Sequence, residues 1–141
     1  ELVDYCVIDS PPQRTQICLA VVGAADLVLI PAEASTKGVN SLLLSLELLD
    51  EMRRIRAFSG QVLGVLPFRD KWFGRAQAVD SREVIAAMRQ VAGEISLLPS
   101  ILESERYKQA IRLGRLLSEM GHEELEFPLH RVIEILEQTD E

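Results

Sequence analysis

Asp4-Tyr5-Cys6-Val7-Ile8-Asp9-Ser10-Pro11-Pro12 runs a set of buried-type residues into an acid, a hydroxyl and two prolines. The middle of the stretch, residues 5–8, is apolar without alternation. That pattern belongs to a strand covered on both faces, as in a parallel sheet, so a strand is expected over residues 3–8. Asp9 places a carboxylate at the tip of that strand, and the two prolines restrict how the chain leaves it. A carboxylate at the carboxyl end of a parallel strand can hold magnesium directly or through water. It can equally cap the turn that follows.

The same grammar recurs along the chain. A helix is expected over residues 15–23, then a buried strand over residues 27–30 stopped by Pro31. Ser35-Thr36-Lys37-Gly38 reads as a polar loop able to cap a helix over residues 39–55. In that helix Leu42, Leu43, Leu46, Leu49 and Met52 repeat at helical spacing as a core stripe. A third strand over residues 62–66 closes at Pro67, and residues 68–79 read as a mixed loop. Ser81-Arg82-Glu83 opens a further helix carrying Val84, Ile85, Met88, Val91 and Ala92. A short fourth strand over residues 95–98 ends at Pro99. From Glu103 on the chain reads as helical and charged, with Leu129, Val132, Ile133 and Leu136 on one face of the last helix. Strands alternating with helices imply right-handed crossovers and a mostly parallel sheet. Ligands bind such sheets at the carboxyl ends of the strands, the edge where Asp9, Pro31, Pro67 and Pro99 fall.

The chain has 141 residues, 48% of them hydrophobic, enough for one core. No stretch approaches the roughly 20 apolar residues of a membrane span, and no signal peptide precedes the first strand. The acidic ending, residues 134–141, is unlike a basic amphipathic anchor. Cys6 and Cys18 lack CxxC spacing and are read as reduced core thiols; His122 and His130 are read as surface residues. The net charge of −7 opposes nucleic acid, so any DNA contact must come from a local patch. Trp72 and Phe73 are read as an anchor for their charged loop, with a partner contact as the alternative. The chain lacks an initiator methionine and runs straight into a strand, as though cut from something longer.

Taken together, the opening stretch resembles the D-Y-hhh-D-[ST]-P-P segment of the ParA/MinD family of deviant Walker A, P-loop ATPases. Ala24-Ala25-Asp26-Leu27-Val28-Leu29-Ile30-Pro31 is similar to that family's A-A-D-x-V-L-I-P strand, and Gly64-Val65-Leu66-Pro67 to its G-V-L strand. Ser81-Arg82-Glu83 resembles the start of the following helix. Residues 107–115 are similar to the Y-x-E-A-x-x-x-G-[KR] segment of the plasmid-partition branch, with Gln109 in place of the usual Glu. The resemblance covers almost the whole chain, in order.

It implies a three-layer α/β/α fold of the P-loop NTPase type, with residues 1–141 as the C-terminal portion of one ATPase domain. The phosphate loop, K-G-G-x-G-K-[ST], is then expected roughly a hundred residues upstream, and this chain alone is expected to be inactive. The resemblance makes Asp9 the catalytic, magnesium-associated acid, acting through the metal's water shell, and Ser10 and Pro11 (with Pro12) the segment that senses the γ-phosphate. Nucleotide contacts fall on Pro67, Phe68, Arg69 and Asp70 and on Pro99, Ser100 and Ile101. The family commonly has Thr or Asn where Phe68 stands and a basic residue where Ser100 stands. DNA contacts fall on Lys108, Arg112 and Arg115, the last two sharing a helix face at a spacing of three. The cofactors implied are ATP and Mg2+. The partners implied are a second copy of the chain, a ParB-like centromere-binding protein and non-specific DNA, with no membrane. The implied job is plasmid or chromosome partition by a nucleoid-associated cytoplasmic ATPase. The alternatives are a relative in that superfamily with another cargo, or a degenerate module that only dimerises or docks.

Overall fold

Leu27–Glu33 (β1), Gln61–Asp70 (β2) and Ile101–Leu102 (β5) form a parallel sheet in the order β1-β2-β5 in the computed structural model, which describes residues 3–10 and 14–139. Helices flank it: Gln16–Ala24 (α1) before β1, Thr36–Arg54 (α2) between β1 and β2, and Val79–Ala92 (α3) between β2 and β5. The fold class expected from the alternating pattern is therefore the one observed. Between β2 and α3 stands a small antiparallel hairpin, Trp72–Phe73 (β3) and Ala76–Gln77 (β4). After β5 come Glu105–Leu113 (α4), two short 3-10 turns at Ser118–Met120 and Glu123–Leu125, and Phe127–Thr139 (α5).

The helix starts follow their caps. Thr15 Oγ1 accepts from the Cys18 N–H at the head of α1, and Ser35 Oγ from the Gly38 N–H at the head of α2. One core joins the layers. Ile30 and Ala32 of β1, Val65 of β2, Leu42, Leu49 and Met52 of α2, Met88 and Ala92 of α3, and Phe58 are all buried in it, with Leu19 and Val22 of α1 packed against them. Leu43, expected in the α2 stripe, faces solvent instead.

The prolines did not end strands where expected. β1 continues through Pro31 to Glu33 and β2 through Pro67 to Asp70. Pro31 lies in an edge strand of the described sheet, where a missing N–H is tolerated. The Pro67 nitrogen, which carries no hydrogen, faces the same side as the Val65 N–H, which donates to Ser96 O. It falls between the Val65–Leu97 bridge and the Phe68–Ile101 pair, where that ladder is already interrupted. The fourth strand is correspondingly displaced. Residues 95–98 make only the isolated Val65–Leu97 bridge. Pro99 cannot donate to a ladder, and pairing resumes at Ile101–Leu102.

Residues 3–8 do not form the expected strand. Residues 3–9 are exposed, Val7 at 92%, and no strand among the described residues pairs with them. A strand needs a neighbour for its backbone groups, and apolarity alone does not supply one. Cys6, expected in the core, is exposed for the same reason, whereas Cys18 is buried.

A second, smaller core of Ala110, Leu117 and Leu125, with Leu102, Tyr107 and Met120 against it, holds α4 to the two 3-10 turns. Tyr107 Oη donates to the Leu125 carbonyl at 2.8 Å. Burial, then the nearby Glu124 and Glu126 carboxylates, push its pKa above the ordinary tyrosine value. The phenol's contribution to stability is thus present below that ordinary value, about 10, and lost as the pH rises through the folded one. Tyr107→Phe is expected to cost about 1 kcal/mol near neutral pH. It should also flatten the fall in stability above about pH 10, which denaturant titrations on either side of that pH would check.

Candidate functional site

The carboxyl ends of the three parallel strands bring together Glu33, residues 68–70 and residues 100–102. This is the edge where an open parallel sheet binds ligands. The two segments expected to meet the nucleotide, 67–70 and 99–101, are neighbours here although about thirty residues separate them in sequence. Phe68 pairs with Ile101 and Asp70 with Leu102, with a register shift between them. Arg69 sits at that shift with φ 59, in the left-handed region, a conformation costing a non-glycine residue about 1–3 kcal/mol. Its exposed guanidinium donates from Nη1 to Glu33 Oε1 at 3.3 Å, joining the ends of β1 and β2. Such an open pair adds little stability, so its interest is its place at the ligand edge.

Asp70 lies at the end of β2 and is 1% exposed. Oδ2 accepts from Ser100 Oγ at 2.6 Å, from Trp72 Nε1 at 2.9 Å and from Gln77 Nε2 at 3.0 Å, and Oδ1 accepts from Gln77 Nε2 at 2.9 Å. The surrounding backbone is tied as well. Lys71 N–H donates to the buried Ser81 Oγ at 3.0 Å, Ala78 N–H to the Lys71 carbonyl at 2.8 Å, and Glu103 N–H to the Asp70 carbonyl at 2.8 Å. Taking a carboxylate out of water costs several kcal/mol. Bonds from these neutral donors to a charged acceptor offset much of that cost. No buried side-chain nitrogen or oxygen among the described residues lacks a partner.

This geometry sorts the expected nucleotide contacts. Pro67 is fully buried and Asp70 is committed to its donors, so contacts at either would run through backbone. Ser100 has spent its proton on Asp70, and its oxygen keeps a lone pair free to accept. Phe68, Pro99 and Ile101 are half-buried and Arg69 is exposed. The reading of Trp72 as a loop anchor holds through its indole N–H, while Phe73 at the hairpin tip is 76% exposed. No local pattern marks Gln77 and Ser81 as partners of this loop. They meet it only once the chain reverses at the hairpin.

The other expected site residues are not brought to this cluster. Asp9 is exposed and Ser10 half-buried in the segment before α1, and Pro11 lies outside the described residues. No group of three or more metal-ligating side chains occurs among the described residues. A magnesium ion at Asp9 would therefore take one carboxylate from this segment and complete its shell with water and phosphate oxygens, which is the ordinary habit of that ion. In the expected DNA patch, Lys108 and Arg112 are exposed on α4, and Lys108 Nζ pairs with Glu105 at 2.8 Å. Arg115 does not share their helix. Gly114 ends α4 in the left-handed conformation that favours glycine, and Arg115 instead donates from Nη2 to the Glu119 carbonyl at 2.6 Å. No helix among the described residues is long and apolar enough to cross a membrane.

No protein-family model matches the chain. It is 60% identical over 136 residues to "Maintenance of carboxysome distribution protein A" of Gloeothece citriformis, an alignment covering 96% of this chain and 53% of that protein. It is 54% identical over 133 residues to the protein of the same name from Synechococcus elongatus, covering 94% and 53%. Among solved structures it superposes on apo McdA of Cyanothece with a TM-score of 0.90 at 60% identity, covering 94% of this chain and 53% of that one. A variant of Cyanothece McdA in complex with ATP gives a TM-score of 0.91 at 60% identity, covering 94% and 51%. The chain spans about half the length of the curated relatives it matches. Its homologues, similar to it over nearly its whole length in sequence and in fold, are thus proteins named for the maintenance of carboxysome distribution.

Proposed function

We propose that this chain is part of a ParA/MinD-type ATPase that maintains the distribution of carboxysomes. The observation that carries the reading is its 60% identity and TM-score of 0.91 to an McdA variant whose structure is an ATP complex. The cargo follows the names of the relatives. A carboxysome takes the place of the plasmid or chromosome implied by the family resemblance, and the ParB-like centromere-binding partner goes with that replicon.

In this reading the phosphates of ATP are cradled by residues beyond these 141, and the base end meets the loop edge formed by residues 67–70 and 99–101. Asp9 holds the water shell of a magnesium ion, which supplies positive charge against the phosphates. Two copies associate on ATP, and the dimer binds DNA without sequence preference through α4 residues such as Lys108 and Arg112. That binding places the protein on the nucleoid in the cytoplasm.

The test is Asp9→Ala in the full-length protein. Magnesium-dependent ATP turnover is expected to fall by about 100-fold, the scale of losing one charge-stabilising group. Carboxysomes in cells carrying the variant should cluster. Unchanged turnover would remove Asp9 from the metal site. Absence of ATP turnover in the unsubstituted protein would remove the ATPase reading.

A further inference from the structure

We propose that Asp70 is a positioning residue for the nucleotide-base edge, a buried clasp that fixes the loop at Ser100 and the Trp72–Gln77 hairpin on one carboxylate. The inference rests on the reading that residues 67–70 and 99–101 meet the base of ATP. Everything else in it comes from the geometry around Asp70.

Asp70 is fully buried, yet it sits where the sheet meets its expected ligand. Its bonding partners come from three places: Ser100 in the segment before β5, Trp72 in β3 and Gln77 in β4. The Asp70 main chain adds a fourth, since its carbonyl accepts from Glu103 N–H. Among the described residues, no other side chain hydrogen-bonds both the hairpin and the late loop to the end of β2. An ionised carboxylate only accepts. That suits this spot, where an indole N–H, an amide NH2 and a hydroxyl converge. An amide in its place would meet the same groups only by turning the Gln77 amide round, and would lose the charge that strengthens each bond. The bond from Ser100, 2.6 Å, has the ordinary length of a hydroxyl on a carboxylate and ties the late loop to Asp70. Two neighbours fit this role. Arg69 is thrown outward by its left-handed φ, leaving Asp70 to turn in. Ser81 takes up the Lys71 N–H, so the backbone leaving Asp70 is fixed too. The clasp holds the loop in place before a ligand arrives, and such preorganisation raises affinity by lowering the ordering cost of binding.

The test uses the full-length protein and two probes, ATP and inorganic tripolyphosphate, titrated at the same magnesium concentration. Tripolyphosphate carries the phosphates without the ribose and the base, so the ratio of the two affinities reads the nucleoside end of ATP, where the base edge lies. Asp70→Asn is expected to lower the preference for ATP about tenfold, the scale of one charge-assisted bond, with tripolyphosphate affinity unchanged. Adding Gln77→Glu should restore the preference. The new amide at position 70 would donate to the new carboxylate at position 77, while its oxygen accepts from Trp72 and Ser100. Trp72 is the only tryptophan of these 141 residues, so the change in tryptophan emission against the unsubstituted protein should appear in Asp70→Asn and vanish in the double variant. Ser100→Ala cuts only the link to the loop and keeps the question open to test if Asp70→Asn does not fold. It should lose the preference for ATP while Trp72 emission stays put. Folded variants that keep the unsubstituted protein's preference would overturn the clasp and leave the nucleotide reading standing. Equal affinity of the unsubstituted protein for both probes would overturn the base-edge reading, and the clasp with it.

Discussion

Gly38→Ala is expected to destabilise the protein by about 3 kcal/mol or more, the upper range for an added methyl that cannot be accommodated. Gly38 is buried in the first turn of α2, where the helix passes directly over the end of β1. A Cβ built there would lie 1.8 Å from the Glu33 carbonyl oxygen and 2.8 Å from its carbon. Both atoms are backbone, held by the β1–β2 ladder, so no side chain can swing aside. The whole helix start would have to lift, breaking the Ser35 cap bond to the Gly38 N–H and opening the core beneath. Chemical denaturation of the full-length protein measures the effect. A small loss, or the gain of about 1 kcal/mol that helix propensity alone gives alanine over glycine, would mean that the turn is free to move and that α2 is not seated on Glu33. Because Glu33 also pairs with Arg69, a displaced α2 should in addition weaken the nucleotide binding proposed for the sheet edge.

The second large effect is expected at Leu42. Leu42→Ala should cost about 2–5 kcal/mol, the range for truncating a buried leucine. Leu42 is 1% exposed and packs in the cluster with Ile30, Ala32, Val65 and Met88, where α2 and α3 meet the sheet. Strand backbone on one side and a neighbouring helix on the other leave little room to collapse into the space. Leu43, one residue along, is 46% exposed. Its truncation is expected to cost under about 1 kcal/mol. Comparable losses at the two positions would show that α2 is rotated from the face described.

The contrast between Leu42 and Leu43 marks how far the sequence could be read. Periodicity placed α2 and most of its core face, because burial on one side of a helix repeats at a fixed spacing. It could not tell which flank of the leucine stripe faces water, since that depends on where α3 packs. The ordered likeness to ParA-type segments pointed to the two loops at the sheet edge before any pairing was known. The prolines misled the reading of strand ends. A proline breaks only the ladder on the side its nitrogen faces, and among the described residues Pro31 faces the open edge of the sheet and Pro67 a gap in the ladder to β5. The expectation of one helix face for Arg112 and Arg115 failed at a single residue, because Gly114 takes the left-handed turn that closes α4.

By itself the sequence determined the alternation of helices and strands from α1 onward, the polar cap at the head of α2, and the presence of a candidate acid at Asp9. These are local properties, written in the spacing of apolar residues and in short polar signals. The tertiary structure alone decided that residues 3–8 need a neighbouring strand before their apolar run can become one. It alone brought Ser100, Trp72 and Gln77 onto Asp70. A carboxylate in a charged loop carries no mark of whether it will face water or be buried. That depends on which donors other parts of the chain deliver to it.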